Sequence, residues 1–272
     1  MNKRTGLQTV LAKLPPGLAL DIDGTLSPIA PTPEEARLYP GVVPLLERAR
    51  EHAHVAIMTG RAIDDGAGIV NVEGLTYIGT HGLEWSDGLP WLHPVHVVPE
   101  ALHYCEPGKY LLDLVEKQLS RLPGVIVQRK RIGGSIHYRL APNLAETRQE
   151  LLALLEQPAR RVNMSLIEGK QIIEIRVPLP INKGRALRQF AQRFGLQAVV
   201  FAGDDRTDLD AVLEIERMQK EGRAALAIVV QHPDTLPELL QRADIVVQGV
   251  PDMVDLLRTM VEMLEKEGIS RP

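Results

Sequence analysis

Asp21 and Asp23 stand two residues apart where an apolar run, Leu18-Ala-Leu, meets a glycine and a threonine in Asp21-Ile-Asp-Gly-Thr25. Side chains alternate along an extended chain, which puts both carboxylates on one side, and Gly24 lets the backbone turn directly behind them. One carboxylate can attack phosphorus and carry the group as an aspartyl-phosphate while its neighbour gives and later takes a proton. Asp and Gly are also ordinary turn residues, but a chance Asp-x-Asp-Gly-Thr in a chain of this length is of order one in a thousand. Two further segments repeat the design of an apolar run ending in polar groups. Val55-Ala-Ile-Met-Thr59-Gly60-Arg61 supplies a hydroxyl, a free backbone N–H and a guanidinium, a set that suits phosphate oxygens or locks a carboxylate. Val199-Val-Phe-Ala-Gly203 runs into Asp204, Asp205 and Asp208, three carboxylates within five residues, which repel one another unless a cation lies among them. An oxygen-only set favours hard ions such as Mg²⁺, and the same acids also stabilise a helix N-terminus. Lys183, in Asn182-Lys183-Gly184, opens a helix, a place that already favours anions.

Positioning these groups requires a sheet whose strands end along one edge. Short apolar runs alternate with segments of helical period, the pattern of strand–helix crossovers on a parallel sheet. Strands are expected at 17–21, 54–58, 76–79, 198–202, 224–229 and 244–247, and helices at 44–51, 183–194, 208–221 and 253–266. Prolines at 90, 94, 99 and 107 make residues 86–107 an irregular, domain-linking stretch, and Pro178 and Pro180 punctuate the return. Between them lie a helix at 110–122, strands at 125–130 and 135–140, a helix at 144–155, and strands at 162–167 and 171–177. That αββαββ unit reads as an inserted cap domain.

The chain has 272 residues, 44% of them hydrophobic and 24% charged, enough for a sizeable core. A net charge of −4 provides no basic field for a nucleic-acid partner. No stretch approaches the roughly 18 apolar residues of a membrane span, and the first residues lack a continuous apolar signal core. The single cysteine, Cys105, makes no intrachain disulfide. A cytoplasmic location is the expectation.

In chain order these elements resemble the haloacid dehalogenase superfamily of phosphohydrolases. Within it the sequence is similar to the trehalose-6-phosphate phosphatase family, on Asp21-Ile-Asp-Gly-Thr-Leu-Ser-Pro-Ile29, Thr59-Gly-Arg61, Gly79-Thr-His81-Gly-Leu-Glu84, His137-Tyr-Arg139, Glu174-Ile-Arg176, Asn182-Lys-Gly184 and Gly203-Asp-Asp-Arg-Thr-Asp208. The resemblance implies a Rossmann-like parallel-sheet core over residues 1–104 and 181–272, with the α+β cap at 105–180. It implies Asp21 as nucleophile and Asp23 as general acid, then general base. Mg²⁺ would be held by Asp21, the Asp23 carbonyl and Asp204, with Asp208 as a further ligand or orienting a metal-bound water. Thr59, the Gly60 N–H and Lys183 would hold phosphoryl oxygens, Asp205 positioning Lys183. Arg61, His81, Lys130, Lys170 and Glu174 would meet the sugar phosphate.

Two positions depart from the family pattern: Leu209 stands where an acid usually follows the last motif aspartate, and Gln128 opens Gln128-Arg-Lys130 where a glutamate is usual. The implied activity is hydrolysis of trehalose 6-phosphate. The departures keep open another glycoside phosphate, such as a sucrose, glucosylglycerate or mannosylglycerate phosphate, or a broad set of sugar phosphates. A phosphomutase and a non-catalytic domain coupled to a sugar-phosphate synthase are further alternatives.

Overall fold

The computed structural model describes residues 3–266. In chain order its strands are β1 (Pro16–Leu20), β2 (His54–Met58), β3 (Thr76–Gly79), β4 (Glu84–Asp87), β5 (His96–Val97), β6 (Ile126–Arg129), β7 (Gly134–His137), β8 (Ser165–Gly169), β9 (Ile172–Arg176), β10 (Ala198–Gly203), β11 (Ala224–Gln231) and β12 (Ile245–Gln248). Its helices are α1 (Lys3–Leu11), α2 (Val42–His52), α3 (Ile63–Val70), α4 (Cys105–Glu116), α5 (Leu144–Arg161), α6 (Lys183–Arg193), α7 (Leu209–Lys220), α8 (Pro237–Arg242) and α9 (Gly249–Lys266). Two compact units divide them, one holding the described residues up to Ala30, Glu34–His96 and those from Ile181 onward, the other Pro31–Pro33 and Val97–Pro180.

The larger sheet runs β12-β11-β10-β1-β2-β3-β4-β5. From β12 to β3 all neighbours are parallel, and β4 turns antiparallel to β3. The chain builds β1, β2 and β3 outward on one side, then resumes with β10 on the other side of β1. A crevice forms where the strand order reverses in this way, and the register puts Leu20 beside both Ala202 and Ile57. The residues following β1, β2 and β10 therefore line one edge side by side.

Alternation covers both faces. Leu18, Leu20, Val200 and Ile228 pack with apolar residues of α1, α2, α3 and α9, while Ala19, Val199, Phe201 and Val229 pack with those of α6, α7 and α8. Burying such runs on both sides is what makes them continuous in sequence rather than alternating. The second sheet, β6-β7-β9-β8, is antiparallel throughout. Ile136, Ile173 and Ile175 are buried on one face, as are Leu111, Leu112 and Val115 of α4 and Leu151 and Leu155 of α5. Register assigns Gln128, Ser135 and Glu174 to the other face.

The α/β class and the αββαββ order agree with the sequence reading, but several local expectations change: α8 is unpredicted, and the helix expected at 110–122 runs over Cys105–Glu116. The stretch expected to be irregular carries β4 and β5, and its prolines fall between them, at the start of a 3₁₀ turn (Pro99–Tyr104) and in the first turn of α4. A first-turn proline sacrifices no intrahelical bond. Helix α5 continues past 155 through Pro158, because Ala159 extends the buried stripe of Leu151 and Leu155. Helix α3 escapes a propensity-based reading, since Gly66 and Gly68 are poor helix formers. At Gly66 the glycine is required: a Cβ there would lie 2.8 Å from Thr59 Cγ2. Helix α1 also goes unpredicted, although Leu7, Val10 and Leu11 bury its inner face. Among the described residues no helix is long and apolar enough to cross a membrane.

Candidate active site

Asp21 follows β1 directly, in the middle of the edge, with Thr59 after β2 on one side and Asp204 after β10 on the other. Lys183 reaches the same place from the first position of α6, whose start is capped by the Asn182 side chain accepting from the Arg185 N–H at 2.9 Å. Gly184 lets that helix approach α7, since a Cβ there would lie 2.3 Å from the Asp210 carbonyl oxygen. The Lys183 ammonium, 2% exposed, donates to Asp21 Oδ1 and Asp208 Oδ1, both at 2.6 Å. Asp208 Oδ2 in turn accepts the backbone N–H groups of Asp204 and Asp205 at 3.0 Å each. Asp208 is thus an anchor that ties the lysine to the turn after β10. The sequence reading gives Lys183's positioning to Asp205; the structure gives it to Asp208, because the exposed Asp205 uses its carboxylate to cap the turn from Arg206 to Asp208.

Ligand oxygens of Asp21, Asp204 and Asp208 lie within 4.8 Å of one another, all buried. Burial pushes the Asp21 carboxyl up to about 8, with the negative charges of Asp208 and Asp23 adding to it and Lys183 opposing it. Asp204 is raised by burial and by Asp21, Asp208 and Asp205. Burial works against the Lys183 ammonium, yet Asp208 and Asp21 outweigh it and keep its pKa above the usual lysine value. One ammonium leaves this space short of positive charge, and an all-oxygen donor set with such a deficit fits a hard divalent cation. With both its oxygens already engaged, Asp208 is better placed to orient than to ligate.

Gly24 adopts φ +78° beside this cluster, and a Cβ there would lie 2.1 Å from Asp204 Oδ2. Gly24→Ala is therefore expected to combine left-handed strain with displacement of the carboxylate, lowering stability by about 1–3 kcal/mol. Urea unfolding of the purified variant measures this.

Arg61 donates to both oxygens of Asp23, at 2.7 Å each, so it locks this carboxylate. Thr59 Oγ1 accepts the Arg61 N–H at 3.1 Å, which leaves its own proton to be donated. The neighbouring turn is strained: Thr80 and His81 have φ of 48° and 58°. It is stitched to Thr59–Arg61 by Thr80 N–H to Arg61 O, 2.7 Å, and His81 N–H to Thr59 O, 3.0 Å. Buried Glu84 accepts the Thr80 hydroxyl at 2.8 Å and the Ile63 N–H at 3.0 Å. The His81 ring lies against Gly60, where a Cβ would come within 2.5 Å of Cε1.

In the second unit Lys130 donates to Glu174 Oε1 at 3.1 Å, and Arg176 pairs with Glu174 Oε2. Lys130 and Glu174 thus come together, whereas Lys170 occupies the exposed turn between β8 and β9. Gln128 Oε1 lies 3.1 Å from His137 Nε2. Leu209, the other departure, packs against the apolar core below α6 and α7.

His232 is absent from the sequence reading. It follows β11 immediately, and its Nε2 lies 2.7 Å from the Gly24 carbonyl oxygen and 3.8 Å from Asp204 Oδ2. The missing signal was the strand end: β11 runs to Gln231, two residues beyond the expected 229.

A parallel-sheet core with an inserted antiparallel α+β unit, and acids gathered at the ends of β1 and β10, define the class as the haloacid-dehalogenase type. The family model "Trehalose-phosphatase" matches residues 19–237. The chain belongs to that family. It is 32% identical over 238 residues to the trehalose-phosphate phosphatase of Mycobacterium avium (strain 104), covering 85% of this chain and 58% of that protein. To the Mycobacterium leprae (strain TN) trehalose-phosphate phosphatase it is 30% identical over 247 residues, 84% of this chain and 54% of that one. The chain therefore spans little more than half the length of these relatives. The crystal structure of a trehalose-6-phosphate phosphatase related protein superposes with a TM-score of 0.77 at 25% identity, covering 92% of this chain and 99% of the other.

Proposed function

We propose that this chain is a Mg²⁺-dependent phosphatase that hydrolyses trehalose 6-phosphate to trehalose and phosphate. The observation that carries the chemistry is the buried Asp21 carboxylate, central on the sheet edge and bonded to Lys183 at 2.6 Å. The substrate is supported by the family and by the activity named for the mycobacterial relatives.

In this reading an Asp21 oxygen attacks phosphorus, the bond from phosphorus to the sugar oxygen breaks, and Asp23 protonates the departing oxygen. Water then attacks the aspartyl-phosphate, giving its proton to Asp23 and returning Asp21. Thr59, the Gly60 N–H and Lys183 hold phosphoryl oxygens, and Arg61 aligns Asp23. Mg²⁺, held by Asp21, Asp204 and the Asp23 carbonyl, would supply neutralisation of the charge on nucleophile and phosphate. Phosphoryl transfer depends mostly on such positioning and charge compensation. Residues 105–180 act as the cap and supply sugar recognition, with Lys130 and Glu174 as hydroxyl and charge partners; residues 1–104 and 181–272 are the catalytic core. The activity belongs in the cytoplasm, beside a synthase that makes the sugar phosphate.

Gln128 favours a second reading. An amide in place of a carboxylate binds hydroxyls without charge, which suits another glycoside phosphate. Phosphate release across trehalose 6-phosphate and sucrose, glucosylglycerate, mannosylglycerate and hexose phosphates separates the two. A kcat/KM for trehalose 6-phosphate about a hundredfold above the rest, equivalent to roughly 2.7 kcal/mol, is expected, and chelation of Mg²⁺ should abolish it. A flat profile or another preferred glycoside would overturn the substrate while leaving the core chemistry in place.

A further inference from the structure

We infer that His232 is a positioning residue that braces the Asp204 carboxylate and the turn after Asp23, and through them sets the affinity for a divalent cation; the inference rests on the metal-dependent reading above. A carbonyl oxygen only accepts, so the 2.7 Å contact to Gly24 O requires His232 Nε2 to carry the proton. The backbone that carries the imidazole is fixed at the end of β11: the His232 N–H donates to Thr235 Oγ1 at 2.8 Å, and the Thr235 N–H returns to His232 O at 3.2 Å. The ring therefore links the edge of β11 to the loop after β1, across the intervening end of β10.

Asp204 is what lies beneath this link. Its Oδ2 is 3.8 Å from the same Nε2 and is crowded by Gly24, whose missing Cβ would sit 2.1 Å away. Its Oδ1 faces the Thr25 hydroxyl at 3.5 Å. Gly24 and His232 thus wall one oxygen of the carboxylate, and the Nε2–H bond holds Gly24 in that wall. The turn keeps its own backbone bonds, Gly24 N–H to Ser27 O at 2.7 Å and the Leu26 and Ser27 N–H groups to Ile22 O at 2.8 Å each; what goes with the imidazole is the tie of that turn to β11 and the neighbour that restrains rotation of Asp204. Groups that orient a ligand in this way usually set metal affinity by about 10–100-fold. A residue serving the fold alone would change stability but leave cation affinity where it was.

The test is Mn²⁺ binding to the full chain without substrate, read by electron paramagnetic resonance of the free ion, for wild type, His232→Ala and His232→Gln. Glutamine presents an N–H at nearly the same reach as Nε2 and so preserves the bond. His232→Ala is expected to weaken Mn²⁺ binding at least about tenfold, His232→Gln to recover most of it, and thermal midpoints to stay close together. Alanine binding Mn²⁺ within twofold of wild type would overturn the inference while the metal reading stands. Equal weakening in both variants would overturn the hydrogen-bonded brace. Wild-type protein that binds no Mn²⁺ would overturn both.

Discussion

Asp21→Asn is expected to lose at least about four orders of magnitude in turnover, the usual consequence of removing a nucleophile, while folding as well as the wild type. The two halves of this result have separate causes. An amide has no anionic oxygen to attack phosphorus, and the surrounding carboxylates are otherwise occupied: Asp208 has both oxygens engaged, Asp23 is held by Arg61, and Asp204 is the carboxylate proposed to hold Mg²⁺. Stability should not suffer, because burial and neighbouring negative charges already work against an ionised Asp21. Asparagine keeps the shape, and its carbonyl oxygen can still accept from Lys183. The variant should unfold in urea within about 1 kcal/mol of wild type, or later. Wild-type turnover in Asp21→Asn would move the nucleophile elsewhere. A collapse of stability would mean that the carboxylate is chiefly structural.

The residues around this position were legible in the sequence to the extent that chemistry and strand ends coincide. Asp21, Thr59 and Asp204 each follow a short apolar run, and parallel pairing then sets them side by side. Lys183 was legible because Asn182 announces a helix start. Glu84 appears in the sequence only as part of a family pattern; its task, clamping the Thr80 hydroxyl and the Ile63 N–H, depends on a turn with two successive left-handed residues that no period reveals. The Arg61–Asp23 pair spans 38 residues and needs the register of β1 against β2 to exist. In the second unit, Lys130 and Glu174 meet across 44 residues through the ordering β6-β7-β9. Lys170 lies in the turn between β8 and β9, which the strands expected at 162–167 and 171–177 already leave between them.

Lys183→Met is the second large effect, and it separates the counter-charge that the ammonium gives Asp21 and Asp208 from the phosphoryl binding proposed for it. Methionine fills nearly the same space but leaves Asp21, Asp204 and Asp208 buried together without a counter-charge. Removing one partner of a buried ion pair typically destabilises by about 3–5 kcal/mol, and protonation of the raised carboxyls at Asp21 and Asp204 brings the expectation to the lower end. Turnover should fall by about 10²–10³, the effect of losing one donor aimed at developing charge. Saturating Mg²⁺ discriminates between the tasks. A divalent cation in the carboxylate cluster can restore much of the lost stability, since it offsets the same charges. It cannot replace a donor to a phosphoryl oxygen, so the rate should stay low at every Mg²⁺ concentration. Recovery of both stability and rate with Mg²⁺ would reduce Lys183 to a counter-ion for Asp208 and Asp21 and remove it from phosphoryl binding.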